Sequence, residues 1–217
     1  MIACGIDEAG RGPVFGPLVI CGLCARDDDI IRLGVKDSKL LSPNKREILY
    51  PKILDVSKDY RIEIISAEKI DEMMKVYTLN EIEAIYFAKV IDQLNGDKFI
   101  VDAADVNEDR FAKMILKYIG KEVKIISKHK ADRDYPVVSA ASIIAKVTRD
   151  REIEKIRSKI GDFGSGYPSD QRTVDFLKSY YKKTGNFPPY VRHSWRTLEK
   201  LITLDNFLGS DSDGKTF

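Results

Sequence analysis

The sequence predicts an α/β fold in which helices flank a mixed five-stranded sheet and a helical appendage follows at the C-terminal end. Residues 2–7, 17–25 and 61–66 have the alternating or apolar patterns of strands, with a turn rich in glycine and proline between the first two. These three strands predict an antiparallel meander. From about residue 78 onward, helix and strand patterns alternate, which indicates parallel strands joined by right-handed crossovers.

The elements after residue 78 carry local signals. Thr78 and Glu81 form a capping-box pattern at the start of a helix, and Pro136 suits the first turn of another. In order, we predict a helix at 78–94, a strand at 98–101, a helix near 107–119, a strand near 122–127, a long helix from Pro136, and helices near 171–183 and 194–203.

Composition restricts the class of protein. The 36 basic and 34 acidic residues leave a formal charge of only +2, which selects no partner. Because no apolar run approaches the roughly 18 residues of a membrane span and no basic leader is present, we expect a cytoplasmic protein without membrane contact, and a monomer by default. Cys21 and Cys24 have no second pair with which to hold zinc, so we expect all three cysteines to be reduced and buried.

Acidic residues follow three of the predicted strands. Asp7 and Glu8 close the first strand pattern, Asp102 ends another, and Asp132 comes after a third. Because ligands lie outside the carboxyl ends of parallel strands, we expect Asp7, Asp102 and Asp132 to converge. A charge at the end of a buried strand is costly without a cation, although a bare Asp-Glu pair also fits an acidic turn.

Glycines follow the first acidic pair at once, as Gly10-Arg11-Gly12. The spacing does not fit a dinucleotide-binding fingerprint, because Phe15 occupies the place of the third glycine and a strand follows instead of a helix. The pattern therefore disfavours a nicotinamide cofactor.

Several segments together resemble the type 2 ribonuclease H family in its archaeal form. The matching segments are, in order, residues 5–13, 36–39, 101–103, 130–132, 138–146 and 164–168. The resemblance implies a ribonuclease H-like fold, in agreement with the mixed sheet predicted above. It also implies that the catalytic, metal-binding carboxylates are Asp7, Glu8, Asp102 and Asp132.

The resemblance implies an endoribonuclease of DNA replication and repair. Such an enzyme hydrolyses the RNA strand of RNA–DNA hybrids and cuts 5′ of single ribonucleotides in duplex DNA, leaving a 5′-phosphate and a 3′-hydroxyl. Carboxylate oxygens suit Mg²⁺ or Mn²⁺, and two such ions can activate water and stabilise the departing oxygen. We expect Asp7 to bridge both ions. A junction resolvase with the same sheet, or a hybrid-binding accessory protein with structural acids, is an alternative.

Selection of RNA over DNA requires a group that senses the 2′-hydroxyl. The backbone of Gly10, Arg11 and Gly12 can approach a sugar closely, and the Arg11 side chain can hold phosphate. The resemblance implies that Tyr167 stacks on the neighbouring deoxyribose, although a packed aromatic residue in a turn is an alternative.

Further substrate-binding candidates are the polar residues Lys36, Ser38 and Lys39 and, on the long helix, Lys146. The first three have donors for a phosphate, but capping of the helix that begins near Ser42 and surface charge explain them as well. Most charges of the long helix fit intrahelical pairs. We expect Asp105 to be a surface residue and assign no role to either histidine.

The C-terminal part carries a basic segment and a short peptide motif. Between residues 172 and 200, seven basic residues stand against two acidic ones, which fits a polyanion or a solvated helix surface equally. Residues 201–208 resemble the peptide that docks replication enzymes on a sliding clamp, with Leu204, Phe207 and Leu208 as contacts, although Leu201 replaces its glutamine. A plain amphipathic helix end is an alternative. We divide the chain into a catalytic domain (1–160), a substrate-binding appendage (161–208) and a disordered tail (209–217).

Overall fold

A computed structural model describes residues 2–35, 40–196 and 198 of the chain. Its five strands form one sheet in the order β3-β2-β1-β4-β5. The strands are β1 (Ala3–Ala9), β2 (Leu18–Ala25), β3 (Asp59–Ile65), β4 (Lys98–Asp102) and β5 (Ile125–Lys128). Antiparallel pairing of β2 with β1 and β3 confirms the meander, and parallel pairing of β4 with β1 and β5 confirms the crossovers.

Eight helices surround the sheet in the described part of the chain. They are α1 (Asp27–Arg32), α2 (Pro43–Val56), α3 (Ala67–Met73), α4 (Leu79–Asp92), α5 (Glu108–Leu116), α6 (Ala131–Asp134), α7 (Pro136–Ile160) and α8 (Gln171–Thr184). The predicted helices correspond to α2, which was expected to begin near Ser42, and to α4, α5, α7 and α8. Helices α1, α3 and α6 were missed because 6, 7 and 4 residues are too short to show a helical period. None of the described helices has the length and apolarity needed to cross a bilayer.

The sheet has a hydrophobic core on each face. One core lies between the sheet and α7, with α1 and α2 packed against it, and the other lies between the sheet and helices α4 and α5. The backbones of β1 and α7 are in close contact, since a Cβ atom on Gly5 would lie 2.4 Å from the carbonyl carbon of Val137. This contact places the end of β1 directly beside α7.

The C-terminal segment packs on the turn between β1 and β2. Val14 and Phe15 share a third core with Phe163 and Leu177, and the rings of Phe15 and Phe163 stack at 4.2 Å between centroids. Residues 196 and 198 are helical, which agrees with part of the predicted helix at 194–203. The clamp-like peptide and the predicted tail lie outside the described residues.

The cysteine prediction was wrong for one pair. Cys4 and Cys24 form a disulfide between β1 and β2, whereas Cys21 is free and buried. The strand register places Cys4 directly opposite Cys24, with their Cα atoms 4.0 Å apart. Cysteine spacing along the sequence does not reveal this register.

Replacement of Gly5 by alanine should lower stability because its methyl group would overlap the α7 backbone. We expect a loss of about 2–3 kcal/mol, or a fall in melting temperature of about 5–10 °C, measured by thermal unfolding. Gly120→Ala is the matched control, because its Cβ would meet only Asp92 Oδ2 at an ordinary 3.6 Å. Equal melting temperatures for the two variants would contradict the close contact.

Candidate active site

Three carboxylates meet at the carboxyl edge of the parallel strands. Each of Asp7, Asp102 and Asp132 offers one oxygen atom, and these oxygens all lie within 4.8 Å of one another. Asp7 and Asp132 are buried, with 3% and 2% of their surfaces exposed. The expected convergence of these three acids is therefore confirmed.

Backbone groups fix the positions of the acids. The amide of Glu8 donates to Asp7 Oδ1 at 2.7 Å, and the amide of Ala131 donates to Asp102 Oδ1 at 3.0 Å. Ala131 begins α6 directly after Lys130, which has the left-handed conformation with φ of 57°. This sharp turn brings Asp132 back to the strand end within a few residues of β5.

Glu8 is adjacent to the three acids but outside their group. Successive strand residues point to opposite faces, so its side chain leaves β1 on the side away from Asp7. Its Oε2 atom is buried and accepts no hydrogen bond from the described residues. Burial first, and then the charges of Asp7 and Asp102, raise the pKa of Glu8 well above its ordinary value.

The electrostatics of the group favour a bound cation. Burial, together with the charge of Asp102, raises the pKa of Asp7 to about 6, although Lys146 and a hydrogen bond with Ser142 lower it. Lys146 Nζ also donates to Ser142 Oγ at 2.5 Å, so both α7 residues act on the same carboxylate. A set of carboxylate oxygens with an unsatisfied Glu8 oxygen beside it fits a hard divalent ion such as Mg²⁺ or Mn²⁺.

A cleft of about 390 Å³ lies beside the acids. Its lining brings together predicted substrate-binding residues from distant parts of the sequence. It also includes Arg46 and Arg149, which the sequence patterns did not identify as substrate-binding residues. The lining residues are Glu8, Ala9, Gly10, Arg11, Gly12, Arg46, Lys146, Arg149, Asp150, Ser165 and Tyr167. The candidates Lys36, Ser38 and Lys39 lie outside the described residues.

Close contacts at the cleft explain its glycines. Gly10 has φ of 93°, and a Cβ there would lie 2.2 Å from Arg149 Nε. A Cβ on Gly12 would lie 3.2 Å from Tyr167 Cε1. The Tyr167 ring, 44% exposed, therefore lies against Gly12 with one side open to the cleft.

Arg11 directs its guanidinium toward α4. It forms an ion pair with the fully buried Glu83 and donates to Asn80 Oδ1 at 2.6 Å. Asn80 in turn donates to Asp105 Oδ2 at 2.8 Å. The contact of Arg11 with phosphate stays a prediction, because Glu83 and Asn80 occupy both terminal nitrogen atoms of its guanidinium.

The prediction that Asp105 is a surface residue was wrong. Asp105 is 3% exposed and accepts hydrogen bonds from Arg110, from the Asn107 amide and from Asn80. The Arg110 hydrogen bond is the largest of the effects that lower the pKa of Asp105 to about 2. Asp105 holds the loop between β4 and α5 in place and does not belong to the group of three acids.

Two buried arginines beneath the cleft were missed. Arg192 is fully buried and donates to the carbonyls of Gly10, Arg11 and Gly16 at 2.6, 3.1 and 3.0 Å. Arg149 donates to Phe15 and Pro17 in the same way. Burial lowers the pKa of Arg192 to about 9, which leaves it charged at neutral pH.

The sheet order and its edge of acids are those of a ribonuclease H-like fold. The family model described as ribonuclease HII matches residues 4–198. A ribonuclease HII of Pyrococcus horikoshii is 48% identical over 96% of this chain and 100% of its own. The crystal structure of ribonuclease H2 from Pyrococcus horikoshii OT3 superposes with a TM-score of 0.87 at 48% identity, covering 95% of this chain and 99% of that chain.

A second solved structure, the PCNA:RNase HII complex from Archaeoglobus fulgidus, has a TM-score of 0.83 and 43% identity, covering 90% of this chain and 96% of that chain. The chain belongs to the ribonuclease HII family, whose members cleave the RNA of RNA–DNA hybrids. Family membership selects a ribonuclease over the junction resolvase and over the accessory protein.

In metal-free protein, we expect Asp7→Asn to increase stability. The folded-state pKa of Asp7 is about 6 against an ordinary 3.8, so ionisation of this carboxyl opposes folding increasingly as pH rises between these values. Asparagine stays neutral, so the variant should gain about 3 kcal/mol above pH ~7, and the gain should vanish toward pH ~4. Urea unfolding in EDTA measures the free energy of unfolding of variant and wild type at the higher and at the lower pH.

Asp134→Asn serves as the control. Asp134 is exposed, and its ion pair with Arg133 lowers the pKa of its carboxyl group, which is the opposite of the shift at Asp7. That substitution should not stabilise the protein at either pH. Destabilisation by Asp7→Asn at the higher pH would contradict the electrostatic account.

Proposed function

We propose that the protein is a two-metal-ion endoribonuclease that also cuts 5′ of single ribonucleotides in duplex DNA, leaving a 5′-phosphate and a 3′-hydroxyl. The observation that carries this proposal is the convergence of Asp7, Asp102 and Asp132 within 4.8 Å beside an open cleft. We infer a role in DNA replication and repair in the cytoplasm.

The acids and their neighbours have distinct tasks in this proposal. Asp7, Glu8, Asp102 and Asp132 hold the divalent ions, Mg²⁺ or Mn²⁺. Bound there, the ions supply an activated water and charge stabilisation for the departing oxygen. The Lys146 side chain lies beside the carboxylates and contacts the scissile phosphate.

Recognition of the ribonucleotide is assigned to the wall of the cleft that residues 10–12 and Tyr167 form. The backbone of Gly10, Arg11 and Gly12 contacts the ribose. A sugar can approach this backbone closely because the two glycines have no side chain. Tyr167 stacks on the next sugar, which its exposed face and its contact with Gly12 support. The adjacent buried guanidinium groups of Arg149 and Arg192 favour an anionic ligand at this wall.

Asp132→Asn should abolish cleavage while leaving the fold intact. We expect a rate loss of about 100-fold or more on a labelled DNA duplex with one embedded ribonucleotide in Mg²⁺, because a metal ligand is weakened. Asp134→Asn, two residues away and exposed, should cut at the wild-type rate and position. Normal activity of the Asp132→Asn enzyme would refute the role of Asp132 as a metal ligand. Cleavage by the wild type at positions other than the ribonucleotide would refute the proposed substrate.

We also propose that the protein docks on a sliding clamp through its C-terminal peptide. The support is the resemblance of residues 201–208 to a clamp-binding peptide and the existence of a PCNA:RNase HII complex for the relative from Archaeoglobus fulgidus. Leu204, Phe207 and Leu208 are the proposed contacts.

Phe207→Ala should weaken capture of the protein by the clamp of its own organism about tenfold or more, because one apolar anchor is removed. The measurement is a pull-down or titration with purified clamp. Phe217→Ala, which changes an aromatic residue outside the peptide, is the control. Equal retention of Phe207→Ala and wild type would end this proposal.

A further inference from the structure

The loop of residues 10–17 lines the cleft with its first three residues, and these three are held through their carbonyl groups. Arg192 binds the carbonyls of Gly10 and Arg11, and the Trp195 indole nitrogen donates to the Gly12 carbonyl at 3.2 Å. Further along the loop, the Arg192 amide donates to the Val14 carbonyl at 2.8 Å. These donors all come from the segment that follows α8.

Because of peptide geometry, these carbonyl contacts also determine the direction in which the neighbouring amide groups point. The chain has no cis peptide bonds in its described part, and in a trans peptide the carbonyl and the amide hydrogen point in opposite directions. The amides of Arg11 and Gly12 therefore point away from Arg192. Neither amide donates a hydrogen bond to any described residue. Residues 10–12 line the cleft, whereas Arg192 and Trp195 do not.

We propose that Arg192 and Trp195 are positioning residues that aim the Arg11 and Gly12 amides into the cleft as fixed donors to the ribose 2′-oxygen. The inference rests on the proposed function, in which this loop contacts the ribonucleotide. It adds the reason why the loop has one orientation: a guanidinium and an indole nitrogen hold three consecutive carbonyls from beneath.

The chemistry of Arg192 fits this task. Its Nε and both terminal nitrogens donate to backbone carbonyls, and its guanidinium lies 4.8 Å from the centre of the Trp195 ring. Burial of a charge is costly unless hydrogen bonds compensate it. The planar fork of an arginine can hold several carbonyls in fixed directions, which the point charge of a lysine cannot do.

The test compares binding of two DNA duplexes that differ only by one embedded ribonucleotide, measured in EDTA at low salt so that no cleavage occurs. Arg192→Lys should reduce the preference for the ribonucleotide about tenfold or more, since the donors are no longer aimed. Trp195→Phe keeps the ring and removes only the indole hydrogen, so it should reduce the preference less. Binding of the all-DNA duplex should change little in both variants.

Leu177→Ala is the structural control, because it loosens the same C-terminal core without removing a donor to the loop. It should lower the melting temperature and keep the preference. An unchanged preference in Arg192→Lys and Trp195→Phe, or an equal loss in Leu177→Ala, would overturn the inference. If wild type itself showed no preference, the proposed recognition of ribose by the loop would fail, which is a separate result.

Discussion

Repulsion between carboxylates gathered at one edge of the sheet is the constraint on which the site depends. Asp7, Asp102 and Asp132 are held within 4.8 Å, and the first and last are almost fully buried. The fold opposes this repulsion only in part, with Lys146 and with amide donors from the backbone. The remaining deficit of positive charge favours a divalent cation at this edge.

Two arginines lie against the wall of the cleft that residues 10–12 form. Arg149 and Arg192 are buried with their donors on backbone carbonyls, and the glycine-containing loop lies over them. Two positive charges therefore lie close to this wall, whereas the edge of the sheet carries three carboxylates. Close contacts at Gly5 and Gly12 set the spacing of these elements.

The sequence predicted the parts of this arrangement that depend on local pattern. The antiparallel and parallel pairings followed from the switch between meander and crossover units, and the convergence of three acids followed from their positions at strand ends. Features set by tertiary contacts were not accessible. Cys4 and Cys24 are joined through strand register, Asp105 is buried by Arg110 and Asn80, and Arg192 looked like one more surface charge in a basic segment. A long polar side chain gives no signal in sequence when its partners are backbone carbonyls 176 to 182 residues away.

The distance in sequence between Arg192 and Gly10 also matters during synthesis. All four acids have left the ribosome long before residue 192 does, yet the carbonyls of Gly10, Arg11 and Gly12 have no arginine or indole partner until that point. The turn that follows β1 can therefore take its described form only after residues 192–195 have been synthesised and have packed against it.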